Sequence, residues 1–180
     1  AGAVEYIKRA ASDPQADDLE VRERVAGMLA GIEAQGEEAV RRYARDLDGW
    51  HGDFVLADDK RKALIASVPE TQKDDIRFAW NQVHRFAEAQ RDSLQAFEIE
   101  TEPGVRLGQR IVPVNVTGCY VPGGRYAHAA SALMSVGTAK VAGVPFVAAC
   151  SPPRGDSIAP AVVYAMDLSG ADMILEMGGV

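Results

Sequence analysis

Tyr120, Gly123, Gly124, Arg125, Tyr126, His128 and Ser131 crowd one short stretch, GCYVPGGRYAHAAS, spanning 118–131. Glycine lets a backbone approach a ligand closely, and the start of a following helix carries unpaired N–H groups and partial positive charge. Gly123-Gly124 therefore fits an anion or nucleotide site. The dinucleotide fingerprint GxGxxG is absent, and the same pair also suits a plain strand-to-helix turn. Arg125 offers a planar cation for a carboxylate, phosphate or sulfonate, or else is a surface arginine. The His128 ring can exchange hydrogen bonds with a substrate hydroxyl, or be a satisfied structural histidine. Tyr120 and Tyr126 can stack on a ligand ring or simply pack. Ser131 can face a substrate or bond back to a helix carbonyl.

The remaining reactive side chains are sparse. Cys119 and Cys150 close two expected strands without CxxC spacing. Buried packing is the plain reading, a nucleophilic thiol the alternative, and a structural disulfide is not expected in a cytosolic chain. His51, His84 and His128 are widely separated, so these residues assemble no metal site and no catalytic residue is assigned.

The elements that must hold this stretch follow from periodicity. Asp17-Asp18 can cap a helix through Val21, Val25, Met28, Leu29 and Ile32, which Gly36 stops or bends. Glu37-Glu38 opens a second helix through Ala39, Val40, Tyr43 and Leu47, and DGWHGDF is a turn-rich connection. Asp58 or Asp59 starts a short helix ending before Pro69. From about Glu70 to Ala96, Ile76, Ala79, Trp80, Val83, Phe86 and Ala87 form one apolar stripe, with Arg77, Arg85, Glu88 and Arg91 on the solvated face. After Phe97 the pattern alternates around Pro103-Gly104, which predicts a hairpin. A strand to Tyr120, a helix over 127–142, strand 146–150, the loop SPPRGDS, helix 158–169 and strand 172–177 then make a βαβαβ unit with a parallel sheet. The fold class is α/β: a helical N-terminal segment, 1–96, then an incomplete Rossmann-like parallel βαβαβ sheet, 97–180. The chain stops where a helix is expected, which predicts a truncated N-terminal portion with an unpaired apolar sheet edge.

Composition narrows the function class. The chain has 180 residues, 47% hydrophobic and 25% charged, with a net charge of −7. That acidity argues against a general nucleic-acid binder. No apolar run approaches a bilayer span, and no signal peptide is recognised, so a soluble cytoplasmic protein is expected. Residues 111–180 hold only Arg125, Lys140 and Arg154 against Asp156, Asp167, Asp172 and Glu176. Such charge-poor, Ala/Val/Gly-rich sequence reads as a sheet covered on both faces.

The blocks LGQRIVPVNVTGCYVPGG, SALMSVGTAKVAGV, ACSPP and GADMILEMGG resemble the histidinol dehydrogenase family in order and spacing. The segments IEAQGEEAVRRYARDLDGW and IRFAWNQVHRFAEAQ fit that family's helical lead-in. The resemblance implies a longer, homodimeric, NAD- and zinc-dependent enzyme that oxidises a primary alcohol through an aldehyde to a carboxylate. It places the zinc ligands and the acid–base pair beyond Val180. Within this chain it makes Tyr120 the NAD contact, beside Gly123 and Gly124.

One departure bears on substrate. YVPGG is followed here by Arg125-Tyr126-Ala127-His128 where histidinol-specific members usually carry a small residue and Ala-Pro. The wording is more similar to the sulfopropanediol branch, which converts 2,3-dihydroxypropane-1-sulfonate to sulfolactate. A permanent anion suits Arg125 and a helix N-terminus, whereas cationic histidinol would call for carboxylates. Arg125, Tyr126, His128 and Ser131 are accordingly the expected substrate contacts. Histidinol is the alternative substrate, another small polar alcohol comes third, and a non-catalytic fragment or binding module of the same fold is the alternative class.

Overall fold

The computed structural model describes residues 14–123 and 127–178. Four helices lead: α1 (Pro14–Gln35), α2 (Glu37–Asp48), α3 (Asp58–Ser67) and α4 (Glu70–Ser93). Gly36, at φ 58, breaks α1 from α2 in a conformation that a β-carbon would strain. α2 ends at Gly49, also left-handed, whose N–H and that of Trp50 close back on Arg45 and Ala44. The expected α1 stripe finds little cover: Met28 and Ile32 are half-buried, while Val21, Val25 and Leu29 are exposed.

α4 buries Ile76 and Ala87 and half-buries Ala79, Trp80 and Val83, as its stripe predicts. Two residues depart from it. Phe86 is 66% exposed, because the covering helices touch only one side of the α4 surface. Arg77, expected in solvent, is half-buried: it donates to the Tyr164 hydroxyl at 3.1 Å and pairs with Glu70 and Asp74.

The hairpin forms from β1 (Phe97–Glu102) and β2 (Val105–Gln109), turning at Gly104 with φ 83. Every residue of both strands is exposed. Then come β3 (Val116–Tyr120), α5 (Ala129–Ala132), a π-helical turn (Leu133–Gly137), α6 (Thr138–Val141), β4 (Phe146–Ser151), α7 (Pro160–Leu168) and β5 (Met173–Glu176). The expected helix over 127–142 is thus interrupted by a π turn. The Ser135 hydroxyl donates to the Ser131 carbonyl at 2.7 Å, an insertion into the i→i−4 ladder that favours such a widening.

β3, β4 and β5 form a parallel sheet in that order, with Tyr120 level with Cys150 and Cys150 level with Leu175. Alternate residues Cys119, Val121, Val147, Ala149 and Ile174 enter one core with Leu133, Val136, Val163 and Met166. Leu56, Val68 and Ile76 join that core, so it draws on residues from both sides of position 96. Among the described residues one sheet face is covered rather than two: Val116, Tyr120, Phe146 and Met173, on the other face, are 37–62% exposed. The outer edge of β5 is not bare as expected. Phe54 and Leu56 run antiparallel along it, Leu56 N–H donating to Ile174 and Glu176 N–H to Phe54. Among the described residues no helix is long and apolar enough to cross a membrane.

Candidate functional site

Parallel strands present ligands at their carboxyl ends, and here three such ends lie together at Tyr120, Ser151 and Glu176. Pro152, directly after β4, is the wedge between them. A β-carbon on Gly123 or on Gly178 would sit well under 3.0 Å from the Pro152 ring. Two strand exits are therefore glycine for a steric reason internal to the fold. At Gly123 the absent β-carbon makes room for Pro152. Gly124, Arg125 and Tyr126 lie outside the described residues.

Side-chain alternation separates the other expected site residues. Cys119 and Val121 point into the core, so Tyr120 faces the opposite side, where it is 52% exposed. His128 is exposed at the entry to α5 and lines a cleft of about 40 Å³ with Gly123, Ser151, Pro152, Arg154 and Ala159. Tyr120 does not line that cleft. Ser131 is half-buried one turn into the helix; its N–H donates to the His128 carbonyl at 3.0 Å and its carbonyl accepts from Ser135.

Ser151, Pro152 and Arg154 carry no local sequence signal that marks them as site residues. The signal that finds them is topological: SPPRGDS leaves β4 at the same sheet end at which YVPGG leaves β3. Glu176, which is 2% exposed, carries no such local signal either. The Lys60 Nζ lies 3.0 and 3.2 Å from the two Glu176 carboxylate oxygens, and the Ser157 hydroxyl bonds the same carboxylate. Lys60 also donates to the Asp156 carbonyl at 2.7 Å and sits 5.2 Å from the Trp50 ring centre. One ammonium thus ties α3, the loop after β4 and the end of β5 together.

Both thiols are poor nucleophiles by position. Burial pushes the Cys119 thiol above its ordinary range, with a Ser135 hydrogen bond opposing it in part. Burial and neighbouring Cys119 push Cys150 the same way. Among the described residues no group of three or more His, Cys, Asp or Glu stands close enough to hold a metal ion. A larger cleft of about 470 Å³ lies on the hairpin, between Phe97, Glu98, Gln109 and Arg110, but it is open and away from the strand ends.

What the arrangement offers is two surfaces: an aromatic one at Tyr120, and a small cleft lined by His128 and Arg154. Comparison with known proteins gives these surfaces a context. Residues 11–180 match the family profile described as Histidinol dehydrogenase. A sulfopropanediol 3-dehydrogenase from Ruegeria pomeroyi is 49% identical over 178 residues, which is 98% of this chain and 41% of that protein. A histidinol dehydrogenase from Geobacter sulfurreducens is 35% identical over 164 residues, 89% of this chain and 38% of its own length. Among solved structures, the crystal structure of histidinol dehydrogenase from Elizabethkingia anophelis superposes with a TM-score of 0.77 at 26% identity, over 95% of this chain and 38% of that one. The chain spans about two-fifths of the length of the curated relatives it matches.

Proposed function

This chain belongs to the histidinol dehydrogenase family, and on that premise we propose that it forms part of an NAD-linked, zinc-dependent dehydrogenase. The proposed enzyme oxidises the primary alcohol of 2,3-dihydroxypropane-1-sulfonate through an aldehyde to the carboxylate of sulfolactate. The observation that carries the substrate is the 49% identity to a sulfopropanediol 3-dehydrogenase, against 35% to a histidinol dehydrogenase. The permanent negative charge of a sulfonate also matches a strand-end cleft lined by an arginine and a histidine.

In each half-reaction the alcohol, or the hydrate of the aldehyde, loses one hydride and one proton. NAD supplies the hydride acceptor when bound. Tyr120, half-exposed at the end of β3, offers a flat ring against which a cofactor ring can lie. Gly123 contributes a close-packed corner through Pro152. Arg125, Tyr126 and His128 would orient the substrate by its anionic end, and Ser131 would do so from one turn further along the helix. The described residues do not fit a zinc site, so no step is assigned to a metal held by this part of the chain. The same reading takes the assembled enzyme as a cytoplasmic homodimer with the βαβαβ unit as a Rossmann-like half.

The test is a substrate comparison in the gene product that contains this chain. kcat/KM for 2,3-dihydroxypropane-1-sulfonate is expected to exceed that for L-histidinol by about a hundredfold, since a site built for an anion leaves a cation unpaired. Preference for histidinol would reverse the substrate assignment.

A further inference from the structure

We propose that Lys60 is a positioning residue for the cofactor: through Glu176 and the loop after β4 it sets the Gly123 corner at the exit of β3. The cofactor's identity rests on the function proposed above; the coupling of the strand exits rests on the packing itself.

Three strand exits meet at the carboxyl end of the sheet, the end at which parallel sheets bind ligands. Pro152 joins them. Its ring fills the places where β-carbons on Gly123, after β3, and on Gly178, after β5, would sit. Close-packed groups transmit displacement, so a shift of that ring is felt at both exits.

Pro152 is placed in turn by the loop it opens, and that loop is tied to Lys60. The Lys60 ammonium donates to the Asp156 carbonyl at 2.7 Å and to the two Glu176 carboxylate oxygens at 3.0 and 3.2 Å. The Ser157 hydroxyl bonds the same carboxylate. The Arg154 N–H donates to the Ser157 carbonyl at 2.8 Å, and Gly155 between them has φ +69, a conformation that favours glycine. Residues 152–157 are therefore a short closed turn, anchored at its far side by Ile158, which is 2% exposed.

Burial gives Lys60 its leverage. Glu176 is 2% exposed, and a carboxylate so deeply placed stays charged at low cost only while paired. Without the ammonium it must turn to another partner or take up a proton. Either change shifts the end of β5 against both the Ser157 turn and Gly178. The Gly178 N–H also donates to Asp48 at the end of α2, at 2.9 Å. The helical segment thus holds the β5 exit from two helices, α2 and α3, and the strain of losing one hold passes through Pro152 to Gly123.

The test joins steady-state kinetics of the gene product that contains this chain, with NAD varied, to hydrogen exchange of peptides spanning 151–157 and 176–178. Lys60→Met should raise KM for NAD about tenfold, change kcat at saturating NAD little, and speed exchange in both peptides. Lys60→Arg keeps a cation on the carboxylate and should recover part of the loss. Asp172→Asn loosens β5 at its opposite end, where Lys140 holds it, and should leave KM for NAD unchanged whatever it does to Tm. Should Lys60→Met not fold, Ser157→Ala loosens the same carboxylate more gently and should move KM for NAD the same way to a smaller extent. Faster exchange in a protein whose parent reduces no NAD would keep the coupling of the exits and remove the proposed cofactor. Unchanged exchange in both peptides, an unchanged KM for NAD, or an equal rise in Asp172→Asn would overturn the positioning role.

Discussion

Gly123 illustrates how one residue's role changes once its neighbours are known. Glycine after a strand suggests close approach of a ligand, yet the atoms that occupy the place of its β-carbon belong to Pro152. Overpacking of this kind costs roughly 1–3 kcal/mol. Gly123→Ala is therefore expected to lower stability by about that amount in urea unfolding, and Pro152→Ala in the same chain should recover part of it. A Gly123→Ala variant with unchanged stability would return the residue to a ligand role. Arg154 shows the opposite shift. It is an unremarked loop residue in the sequence and becomes a wall of the His128 cleft only when β3 and β4 are laid side by side. Arg77 was misjudged for a related reason: its partner, the Tyr164 hydroxyl, is far along the chain and invisible to helical periodicity.

At the scale of elements, the sheet is fastened at both ends by charged side chains. At the carboxyl end, Lys60 reaches from α3 to the buried carboxylate of Glu176 on β5. Removing one partner of a fully buried pair costs about 3–5 kcal/mol; the Lys60 side chain is 38% exposed, so Lys60→Met should cost about 2 kcal/mol. Pairing it with Glu176→Leu should restore most of the loss, and additive losses in the double variant would refute a direct coupling. At the opposite end Asp172, ahead of β5, accepts from Lys140 at 2.5 Å and from the Val147 N–H at 2.7 Å. The Lys140 hydrogen bond, then that of Val147, holds the Asp172 carboxyl below its usual range. A depressed carboxyl contributes stability above its unfolded pKa and loses it as pH falls through the folded value. The stability difference between the parent and Asp172→Asn should therefore be constant above about pH 4 and shrink below it. A difference that grows on acidification would contradict that. The same scale explains what was legible. Helix α4, the hairpin and the βαβαβ order follow from apolar spacing and from Pro103-Gly104, which are local signals. The π turn, where Ser135 bonds back to the Ser131 carbonyl, has no periodic signature, and the strap over β5 is the short run Phe54–Leu56, too brief to show a period.

For the molecule as a whole, charge-poor sequence from 111 onward marks the parallel sheet, of which one face is covered among the described residues. One face packs under α5 to α7; Val116, Tyr120, Phe146 and Met173 on the other are 37–62% exposed. Burial of a sheet face depends on whichever segments lie over it, which alternation within the strands does not encode. Tyr120 lies on the exposed face, a placement fixed by side-chain alternation along β3, and it does not line the cleft that His128 and Arg154 share. The most direct measurement is the yield of NADH from limiting 2,3-dihydroxypropane-1-sulfonate, with the gene product that contains this chain and excess NAD. Oxidation through the aldehyde to the carboxylate predicts two NADH for each molecule consumed, with sulfolactate as product. One NADH with an aldehyde left over, or no NADH from this substrate while L-histidinol is oxidised, would contradict the account.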